Sequence, residues 1–350
     1  MISLAIDVMG GDDAPDVCIE GISIFYKKYP DTTFLLFGDE TVVAPILHRY
    51  KNLDSSCCMI HTDESISPHT KPSSAVRQFP KSSMRMALES VANKSADGAV
   101  SAGNTGAYLA LSKTILKTLG SIDRPAIASQ FPSMQNQIVL LDLGGTLDVS
   151  SRNLVEYAQM GSIFAEKVLH LHRPSVGLLN VGKEESKGSD TLQQAFLSLK
   201  SSGLNFHGFV EGHDIALGTV SVVVTDGFTG NVALKTAEGI AKLCFSSVKE
   251  CFSSGAHGKL VGWLARPFLK KIQARFDPRI YNGALWLGLN GIAVKSHGGT
   301  DALGFSYALQ MAYDMVRANI VSEIDAELNA KEDAVVKINA SDVEISSYAS

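Results

Sequence analysis

Short apolar runs alternate with longer amphipathic segments from the first residues of the chain. An apolar run of about four to eight residues is typical of a buried strand, and apolar positions three and four residues apart are typical of a helix. The runs predict strands over residues 4–8, 33–37, 57–62, 98–101, 126–130, 137–142, 175–180, 220–225 and 291–295. The amphipathic segments predict helices over residues 82–93, 104–119, 153–171, 190–199, 228–251 and 302–328, and Asp13 opens an earlier one.

Strands that alternate with helices are typical of an open sheet covered by helices on both faces. The predicted fold is therefore α/β, a three-layer α/β/α arrangement around a largely parallel or mixed central sheet. We expect residues 1–330 to form one unit, built either as a single body or as two intertwined lobes. Residues 331–350 are polar and are expected to form a loosely held C-terminal tail. The proline-marked residues 63–81 are expected to form an exposed loop.

Composition narrows the functional classes. The 350 residues carry a formal net charge of −5, which argues against a nucleic-acid-binding protein with its usual basic excess. The five cysteines form no Cys-x-x-Cys pair and none lies beside histidine at zinc-ligand spacing, so we expect no metal site. The first residues are typical of a strand rather than a signal peptide. No apolar stretch reaches the roughly 18 residues of a membrane-spanning helix, so we expect a cytoplasmic protein.

The turn at residues 101–106 (SAGNTG) joins a short predicted strand directly to a helix. Glycines let a backbone approach a ligand closely, and the start of a helix offers unpaired N–H groups and the positive end of its dipole, which suit a phosphate. The phosphate-binding candidates are Ser101, Gly103, Asn104, Thr105 and Gly106. The alternative is an N-cap and tight turn that binds no ligand.

A second turn of the same kind, residues 225–231 (TDGFTGN), lies between a buried strand and a long helix. Two such turns in one chain favour a shared anion pocket. The carboxylate of Asp226 would repel a bare phosphate, so we expect it to cap the helix or brace the loop. The binding candidates here are Asp226, Gly227, Thr229 and Gly230, and the catalytic candidate is Asn231.

Two further turns carry a charged or titratable side chain. Residues 180–188 (NVGKEESKG) follow a strand, and Lys187 could neutralise a phosphate there; a solvated surface turn is the alternative. Residues 295–301 (KSHGGTD) end the last strand. His297 could donate to a phosphate or to a developing oxyanion, or act as an acid toward a leaving group. A structural histidine is the alternative reading of His297.

Motifs for several other chemistries are missing from the chain. The turns at residues 7–12 and 142–148 match neither the P-loop, which ends in Gly-Lys-Ser/Thr, nor the dinucleotide fingerprint Gly-x-Gly-x-x-Gly. There is also no Gly-x-Ser-x-Gly elbow. We therefore expect neither a nucleotide cofactor nor an acyl-serine hydrolase. Because right-handed crossovers gather strand ends along one sheet edge, the glycine turns are expected to converge on one small anion.

Seven stretches of the chain together resemble the acyl-acyl-carrier-protein:phosphate acyltransferases, the PlsX family. They occur in the family's order over nearly the whole chain: residues 6–15 (IDVMGGDDAP), 101–106 (SAGNTG), 124–126 (RPA), 179–188 (LNVGKEESKG), 209–212 (FVEG), 224–235 (VTDGFTGNVALK) and 295–298 (KSHG). Residues 142–146 (DLGGT) and 282–286 (NGALW) depart from the family's usual Asp-x-Gly-Ala-Asn and Gly-Gly-Ala-x-Leu. The resemblance implies an isocitrate-dehydrogenase-like, Rossmann-like core, a homodimer, no metal and no cofactor.

The resemblance also implies a reaction, in which a long-chain acyl group passes from acyl carrier protein to inorganic phosphate. The acyl phosphate would supply a membrane glycerol-3-phosphate acyltransferase in phospholipid synthesis. No enzyme nucleophile is needed, because a thiolate leaves readily and phosphate is already an anion near neutral pH. Lys187, His297 and Asn231 are the catalytic candidates. Two alternatives stay open: a phosphotransacetylase-like enzyme that uses coenzyme A thioesters, and a non-catalytic protein that binds fatty acids or anions.

Residues 257–277 combine an apolar face at helical spacing with an excess of positive charge. Pro267 is expected to split them into two short helices that form a projecting hairpin. The hairpin could lie on an anionic membrane, dock acidic acyl carrier protein, or pack as an ordinary helix pair with a basic face. The resemblance favours peripheral membrane contact. The contact candidates are Lys259, Leu260, Trp263, Leu264, Arg266, Phe268, Lys270 and Lys271.

Overall fold

Short runs of aliphatic residues build the strands, and many of them, such as Val222–Val224, are buried on both sides. The computed structural model describes residues 1–120, 122–135, 137–253 and 255–329. The described strands are β1 (Ile2–Asp7), β2 (Thr32–Gly38), β3 (Cys57–His61), β4 (Gly98–Ser101), β5 (Ala126–Pro132), β6 (Gln137–Leu141), β7 (Val176–Leu179), β8 (Phe206–Val210), β9 (Val222–Val224), β10 (Ala284–Leu287) and β11 (Ile292–Lys295).

The helices lie mostly between consecutive strands, as the alternating pattern predicts. They are α1 (Asp16–Lys28), α2 (Glu40–Leu47), α3 (Pro72–Gln78), α4 (Ser83–Ala92), α5 (Thr105–Ile115), α6 (Ser151–Lys167), α7 (Asp190–Lys200), α8 (Gly212–Leu217), α9 (Gly227–Ser253), α10 (Gly255–Arg275) and α11 (Ala302–Arg317). Two short 3-10 helices are η1 (Lys51–Leu53) and η2 (Pro278–Tyr281). Residues 320–329 are also helical.

The described strands form one mixed sheet in the order β3-β2-β1-β4-β11-β10-β5-β6-β9-β7-β8. The first five strands in that order are parallel to one another, and so are the last four. Between them, β10 and β5 each pair antiparallel with both neighbours. Three successive antiparallel pairings reverse the strand direction, so β6, β9, β7 and β8 run opposite to β1, β4 and β11.

Helices cover both faces of the sheet because side chains alternate between the faces along each strand. One face carries large aliphatic residues such as Leu4 and Ile6, which pack with residues of α1, α6, α7 and α11. The other face carries smaller residues such as Ala5 and Ala99, which pack with residues of α4 and α5. The predicted three-layer α/β/α fold with a mixed central sheet is therefore confirmed.

Residues 63–81, expected as an irregular loop, contain the helix α3. Pro72 occupies its first turn, where the missing N–H is not needed. Ala75 is fully buried, and a Cβ added to Gly106 would come within 2.9 Å of the Pro72 ring. Packing against the start of α5 stabilises this helix. Its apolar face is too short to produce a clear helical pattern, which is why the sequence does not predict it.

The hairpin also differs from the expectation. Pro267 lies inside the continuous helix α10 and does not split residues 257–277. Proline forgoes one helix hydrogen bond, but the Pro267 ring is exposed and displaces no packed neighbour. The preceding helix α9 is the other arm of the hairpin, so the projecting pair is longer than expected.

Two other expectations need correction. The last long helix, predicted over residues 302–328, is interrupted at 318–319, where Asn319 adopts a φ of 49°. The apolar pattern also leaves four short elements unpredicted: α2, β8, α8 and β10. The predicted polar tail, residues 331–350, lies outside the described residues.

Candidate active site

The last residues of three neighbouring parallel strands lie side by side in the sheet. Asp7 ends β1, Ser101 ends β4 and Lys295 ends β11, and the strand register aligns Asp7 with Ser101 and Ser101 with Lys295. Residues aligned in this way point to the same face of a sheet. All three are buried, with exposed fractions of 1%, 0% and 6%. A carboxyl, a hydroxyl and an ammonium group therefore meet at one sheet edge, and we call this set the polar row.

Asp7 is the main acceptor of the polar row. Its Oδ2 accepts a hydrogen bond from Ser101 Oγ at 2.6 Å, and its Oδ1 accepts one from Ser83 Oγ, at the start of α4, at 2.6 Å. Burial raises the pKa of Asp7 above its usual value, and the two hydroxyl groups and the charge of Lys295 offset only part of that effect. Ser101 Oγ also accepts the Gly103 N–H at 3.0 Å. The polar row thus supports the turn that lies above it.

Glycine at position 103 allows the turn to approach the polar row. A Cβ added there would lie 2.6 Å from the Met84 methyl carbon and 3.4 Å from Asp7 Oδ2. Asn104 then caps α5, because its Oδ1 accepts the Ala107 N–H at 3.0 Å. Its Nδ2 donates to the carbonyls of Pro68 and Thr70 at 2.8 and 2.9 Å. Both polar atoms of the Asn104 side chain therefore form hydrogen bonds within the protein, and Asn104 positions the turn.

The first N–H groups of α5 are the free donors of this turn. Among the described residues, no acceptor forms a hydrogen bond with the Thr105 or Gly106 N–H. Thr105 is exposed, so solvent or a ligand can reach this helix start. Unpaired N–H groups at the positive end of a helix are suited to binding an anion.

His297 lies exposed on the turn after β11. Its Nδ1 accepts the Gly299 N–H at 3.3 Å, so in the neutral imidazole the proton is on Nε2, which is then a free donor. The Ser296 N–H donates to the Ser101 carbonyl at 2.9 Å, and the Asp12 N–H donates to the Gly298 carbonyl at 3.0 Å. The turns at 7–12, 101–106 and 295–301 are thereby tied together, and we call them the first cluster.

The turns after β6, β7 and β9 form a second cluster. Asp142, fully buried, accepts backbone N–H groups from Ile127 at 2.8 Å, Gly145 at 2.9 Å and Thr146 at 2.6 Å. The Gly227 N–H donates to the Thr146 carbonyl at 2.9 Å. The turn at 225–231 therefore rests on a rigid neighbour whose carboxylate is fully engaged in holding it.

The candidates on the turn at 225–231 have distinct surroundings. Asp226 accepts both the N–H and the hydroxyl of Thr229, at 2.8 and 2.7 Å, which is the bracing role expected of it. Gly227 and Gly230 are buried against the 142–146 turn, where no side chain fits. Asn231 is exposed, and its side chain has no hydrogen-bond partner among the described residues.

Lys187 belongs to the same sheet edge as the turn at 225–231, because β7 and β9 are parallel neighbours. Its Nζ pairs with Glu184 at 2.9 Å, and the side chain is half exposed. Lys183 pairs instead with the buried Asp214 at 3.1 Å. The two lysine side chains are about equally exposed, and Lys187, like Lys183, already has one carboxylate partner.

The two clusters lie apart in a single chain. Five strand spacings separate β4 from β9, which is about 24 Å across the sheet. The opposite strand directions also put the two sets of turns at opposite edges, and no hydrogen bond among the described residues joins them. The expectation that all the turns converge on one anion is therefore wrong for one chain, since crossovers gather strand ends only within each parallel set.

The hairpin helix α10 exposes large apolar side chains. Leu260, Trp263, Leu264 and Phe268 have exposed fractions of 59%, 67%, 59% and 69%. The four basic candidates on this helix are also exposed: Lys259, Arg266, Lys270 and Lys271. Across the described residues, no helix is both long and apolar enough to pass through a bilayer.

Comparisons with known proteins identify the family. A family model described as a fatty acid synthesis protein matches residues 2–323. The phosphate acyltransferase of Rhodospirillum rubrum is 50% identical over 327 residues, which cover 93% of this chain and 94% of that protein. The phosphate acyltransferase of Paramagnetospirillum magneticum is 49% identical over 337 residues, 96% of each chain. This chain belongs to the phosphate acyltransferase family.

Solved structures share the fold of this phosphate acyltransferase family member. The EutD phosphotransacetylase of Staphylococcus aureus superposes with a TM-score of 0.58 over 91% of this chain and 94% of that one, at 16% identity. A phosphotransacetylase of Streptococcus pyogenes gives a TM-score of 0.62 over 90% and 94%, at 13% identity. At such identities the likeness concerns the architecture alone. The resemblance found in the seven sequence stretches is confirmed by the family match.

Sequence reasoning about this family member missed most of the polar row. Asp7 ends β1 at the start of a turn that sequence alone does not distinguish from an ordinary one. Its hydrogen-bond partner Ser83 lies far from it along the chain. Lys295 ends an apolar run and looks like a strand terminus at the surface. One sequence signal for the polar row is available, namely a charged residue at the end of a fully buried strand. It identifies a site only once the neighbouring strands are known.

Proposed function

We propose that this chain transfers a long-chain acyl group from acyl carrier protein to inorganic phosphate, giving an acyl phosphate and free carrier protein. Membership of the phosphate acyltransferase family supports the class of reaction. The first cluster is the observation that supports a reaction site. There the free N–H groups of Thr105 and Gly106 lie on a turn that is hydrogen-bonded to the turn carrying His297. Such donors suit both a phosphate and the oxyanion of an attacked thioester.

Phosphate itself acts as the nucleophile in the proposed reaction. Ser101 carries one of the two hydroxyl groups of the turn, but it is fully buried and already donates to Asp7, which excludes it from reaching a thioester carbonyl. A phosphate oxygen forms the new C–O bond, the C–S bond breaks, and the carrier leaves as a thiolate that accepts a hydrogen bond from His297 Nε2–H and takes its proton from solvent. Donors aimed at the developing oxyanion typically contribute about 3–4 kcal/mol each.

The second cluster is assigned to the acyl carrier side of the reaction. Asn231 offers an unpartnered amide on the first turn of α9, and Lys187 lies at the same sheet edge. The helix α9 runs from Asn231 into the hairpin, which exposes the basic and apolar side chains of α10. A long, flexible thioester arm is suited to crossing the distance between the two clusters. Asn231 and Lys187 therefore serve the donor, and His297 serves the reacting centre.

Acyl phosphate trapped by hydroxylamine is the direct test. Purified protein is given a long-chain acyl group on acyl carrier protein, with and without orthophosphate, and the coenzyme A thioester of the same acid in parallel. We expect phosphate-dependent trapping that is faster with the carrier than with coenzyme A. Trapping with coenzyme A alone would favour the phosphotransacetylase alternative, and no trapping with either donor would favour the non-catalytic one.

Single substitutions test the division between the clusters. We expect His297→Ala to lower kcat, and Lys187→Ala and Asn231→Ala to raise the KM for the carrier while leaving the KM for phosphate within about twofold. A higher phosphate KM for Lys187→Ala would return that lysine to the phosphate site and contradict the division.

The hairpin is proposed to hold this cytoplasmic protein at an anionic membrane surface, where a membrane glycerol-3-phosphate acyltransferase would consume the acyl phosphate for phospholipid synthesis. The apolar residues of α10 suit the lipid boundary and its basic residues suit anionic head groups. The helix α9 also exposes Val232, Ile240 and Leu243, with exposed fractions of 48%, 56% and 65%. A second copy of the chain covering these residues would give the proposed homodimer.

A further inference from the structure

Lys295 is a buried cation without an ion pair. Only 6% of the residue is exposed, and no carboxylate among the described residues forms an ion pair with its Nζ, which donates a hydrogen bond to the carbonyl of the adjacent Ser296. The carboxylate of the polar row, Asp7, lies two strands away on β1 and is engaged by Ser83 and Ser101. An ammonium group that is buried without a direct counter-charge is costly. A bound anion would remove that cost.

The position of Lys295 fits such an anion. It lies in register with Ser101, whose Oγ accepts the Gly103 N–H directly beneath the start of α5. The free N–H groups of Thr105 and Gly106 are on the same turn. An anion at this helix start would therefore meet backbone donors from the turn and a fixed positive charge from the strand end below it.

We propose that Lys295 binds the attacking phosphate from beneath the turn at 101–106. This assignment rests on the proposed function, and it names a phosphate ligand that the turns alone do not supply. Lysine binds phosphate as a compact point charge, which suits a buried position under a glycine turn. The exposed His297 then remains free for the oxyanion or the leaving group.

A simpler role for Lys295 is to neutralise Asp7 inside the fold, and a pair of variants separates the two roles. We expect Lys295→Met to raise the KM for phosphate at least about tenfold, while the KM for the acyl donor changes less than about twofold. The matched control is Lys113→Met, an exposed lysine on α5. The double variant Asp7→Asn/Lys295→Met removes both charges. We expect its phosphate affinity to stay as low as that of Lys295→Met, whereas a lysine that only neutralises Asp7 predicts recovered affinity in the double variant.

Binding of inorganic phosphate to protein without donor gives a readout apart from turnover. Titration calorimetry should show weaker binding to Lys295→Met and unchanged binding to Lys113→Met. Normal phosphate affinity in Lys295→Met, or affinity restored in the double variant, would overturn the inference. If phosphate binds through Lys295 but no acyl phosphate forms, the inference stands and the proposed reaction fails instead.

Unmodified protein supplies a third test that does not depend on a variant folding. Burial lowers the pKa of Lys295 to about 8, against the opposing effect of Asp7 and Asp12. Between about pH 8 and pH 10 orthophosphate keeps its dianionic charge, so phosphate affinity should fall as Lys295 loses its proton. The titratable groups around the polar row are Asp7, Asp12, Cys18, Tyr108 and His297. Burial raises the pKa of Cys18 and of Tyr108 out of this window, and affinity that stays constant to pH 10 would contradict the inference.

Discussion

The side-chain amide of Asn282 holds the turn that carries His297, because its Oδ1 accepts the His297 N–H at 2.9 Å. Its Nδ2 donates to the Gly304 carbonyl at 2.7 Å and to Ser296 Oγ at 2.9 Å. One side chain thus joins both ends of the turn to the segment that follows η2. Asn282 touches neither proposed substrate position, so we regard it as a positioning residue for the imidazole.

Replacing Asn282 should loosen this turn. We expect Asn282→Ala to lower kcat about tenfold with little change in either KM, because the imidazole remains present but less well oriented. The free energy of unfolding should fall by about 1–3 kcal/mol from the lost hydrogen bonds. Asn282→Asp keeps an acceptor for the His297 N–H and should recover part of kcat. Steady-state kinetics and urea unfolding measure both effects.

The matched control for Asn282 is Asn205→Ala, whose amide donates to the Arg173 carbonyl at an exposed position. It should leave kcat unchanged. If Asn282→Ala lost only stability and kept the kcat of the unmodified protein, the amide would brace the fold without positioning the imidazole.

The course of the chain at 98–106 follows from local signals alone. The strand at 98–101 is fully buried, glycine follows it, and Asn104 is a strong N-cap, so sequence places the turn and the start of α5 to within one residue. The bracing role of Asp226 follows in the same way from its place two residues after β9 and one before α9. Features set within about six residues of chain are predictable here.

The relation between the turns does not follow from local signals. The antiparallel strands β10 and β5 join two parallel sets whose members are far apart in sequence, and nothing in an apolar run states its direction. The polar row depends on the same information, because Asp7, Ser101 and Lys295 become neighbours only through the sheet order. Pro267 shows the converse, since a residue that usually ends a helix stays inside one.

Gly230 lies where α9 meets the 142–146 turn, and a Cβ added there would overlap the Asp142 carbonyl oxygen. Backbone atoms cannot move aside easily, so Gly230→Ala should lower the free energy of unfolding by about 2 kcal/mol or more. Gly239 lies on the same helix with no atom within 4 Å of its added Cβ. Gly239→Ala should raise stability by up to about 1 kcal/mol. Urea unfolding of the two variants measures both effects. Equal stability of the two would contradict the close approach of position 230 to the Asp142 carbonyl.

The ionisation of Asp214 is expected to make the free energy of unfolding depend on pH in the acid range. Burial acts to raise the pKa of Asp214, but hydrogen bonds from the Glu211 N–H, Thr219 Oγ1 and Lys183 Nζ lower it to about 2. A folded-state pKa below the unfolded value means that the stabilisation is complete above about pH 4 and disappears as the pH falls toward 2. It amounts to about 2 kcal/mol near neutral pH.

Asp214→Asn should therefore be less stable than the unmodified protein by about 2 kcal/mol at pH 7, with the difference shrinking as the pH falls below about 4. Urea midpoints measured across this pH range provide the test. The exposed Asp63 offers a matched control, and Asp63→Asn should follow the unmodified protein at every pH. A constant difference between Asp214→Asn and the unmodified protein would mean that the carboxylate charge is not the source of the effect.

Trp263 and Phe268 are the two most exposed of the apolar candidates on α10. Replacing both with serine removes the largest apolar surface while leaving the basic residues of the helix in place. We expect Trp263→Ser/Phe268→Ser to stop co-sedimentation with vesicles of anionic phospholipid, because head-group attraction alone provides weak and salt-sensitive binding. Turnover of the acyl carrier substrate in the absence of vesicles should be unchanged.

Leu197, with an exposed fraction of 65% on α7, is the control for general loss of apolar surface, and Leu197→Ser should bind vesicles normally. If the double variant still binds vesicles but its KM for the carrier rises, α10 contacts the carrier and the membrane assignment is wrong. If it changes neither property but becomes monomeric, the exposed face of the hairpin belongs between two copies of the chain. Membrane contact through α10 thus requires that vesicle binding be lost while carrier kinetics and oligomeric state are kept.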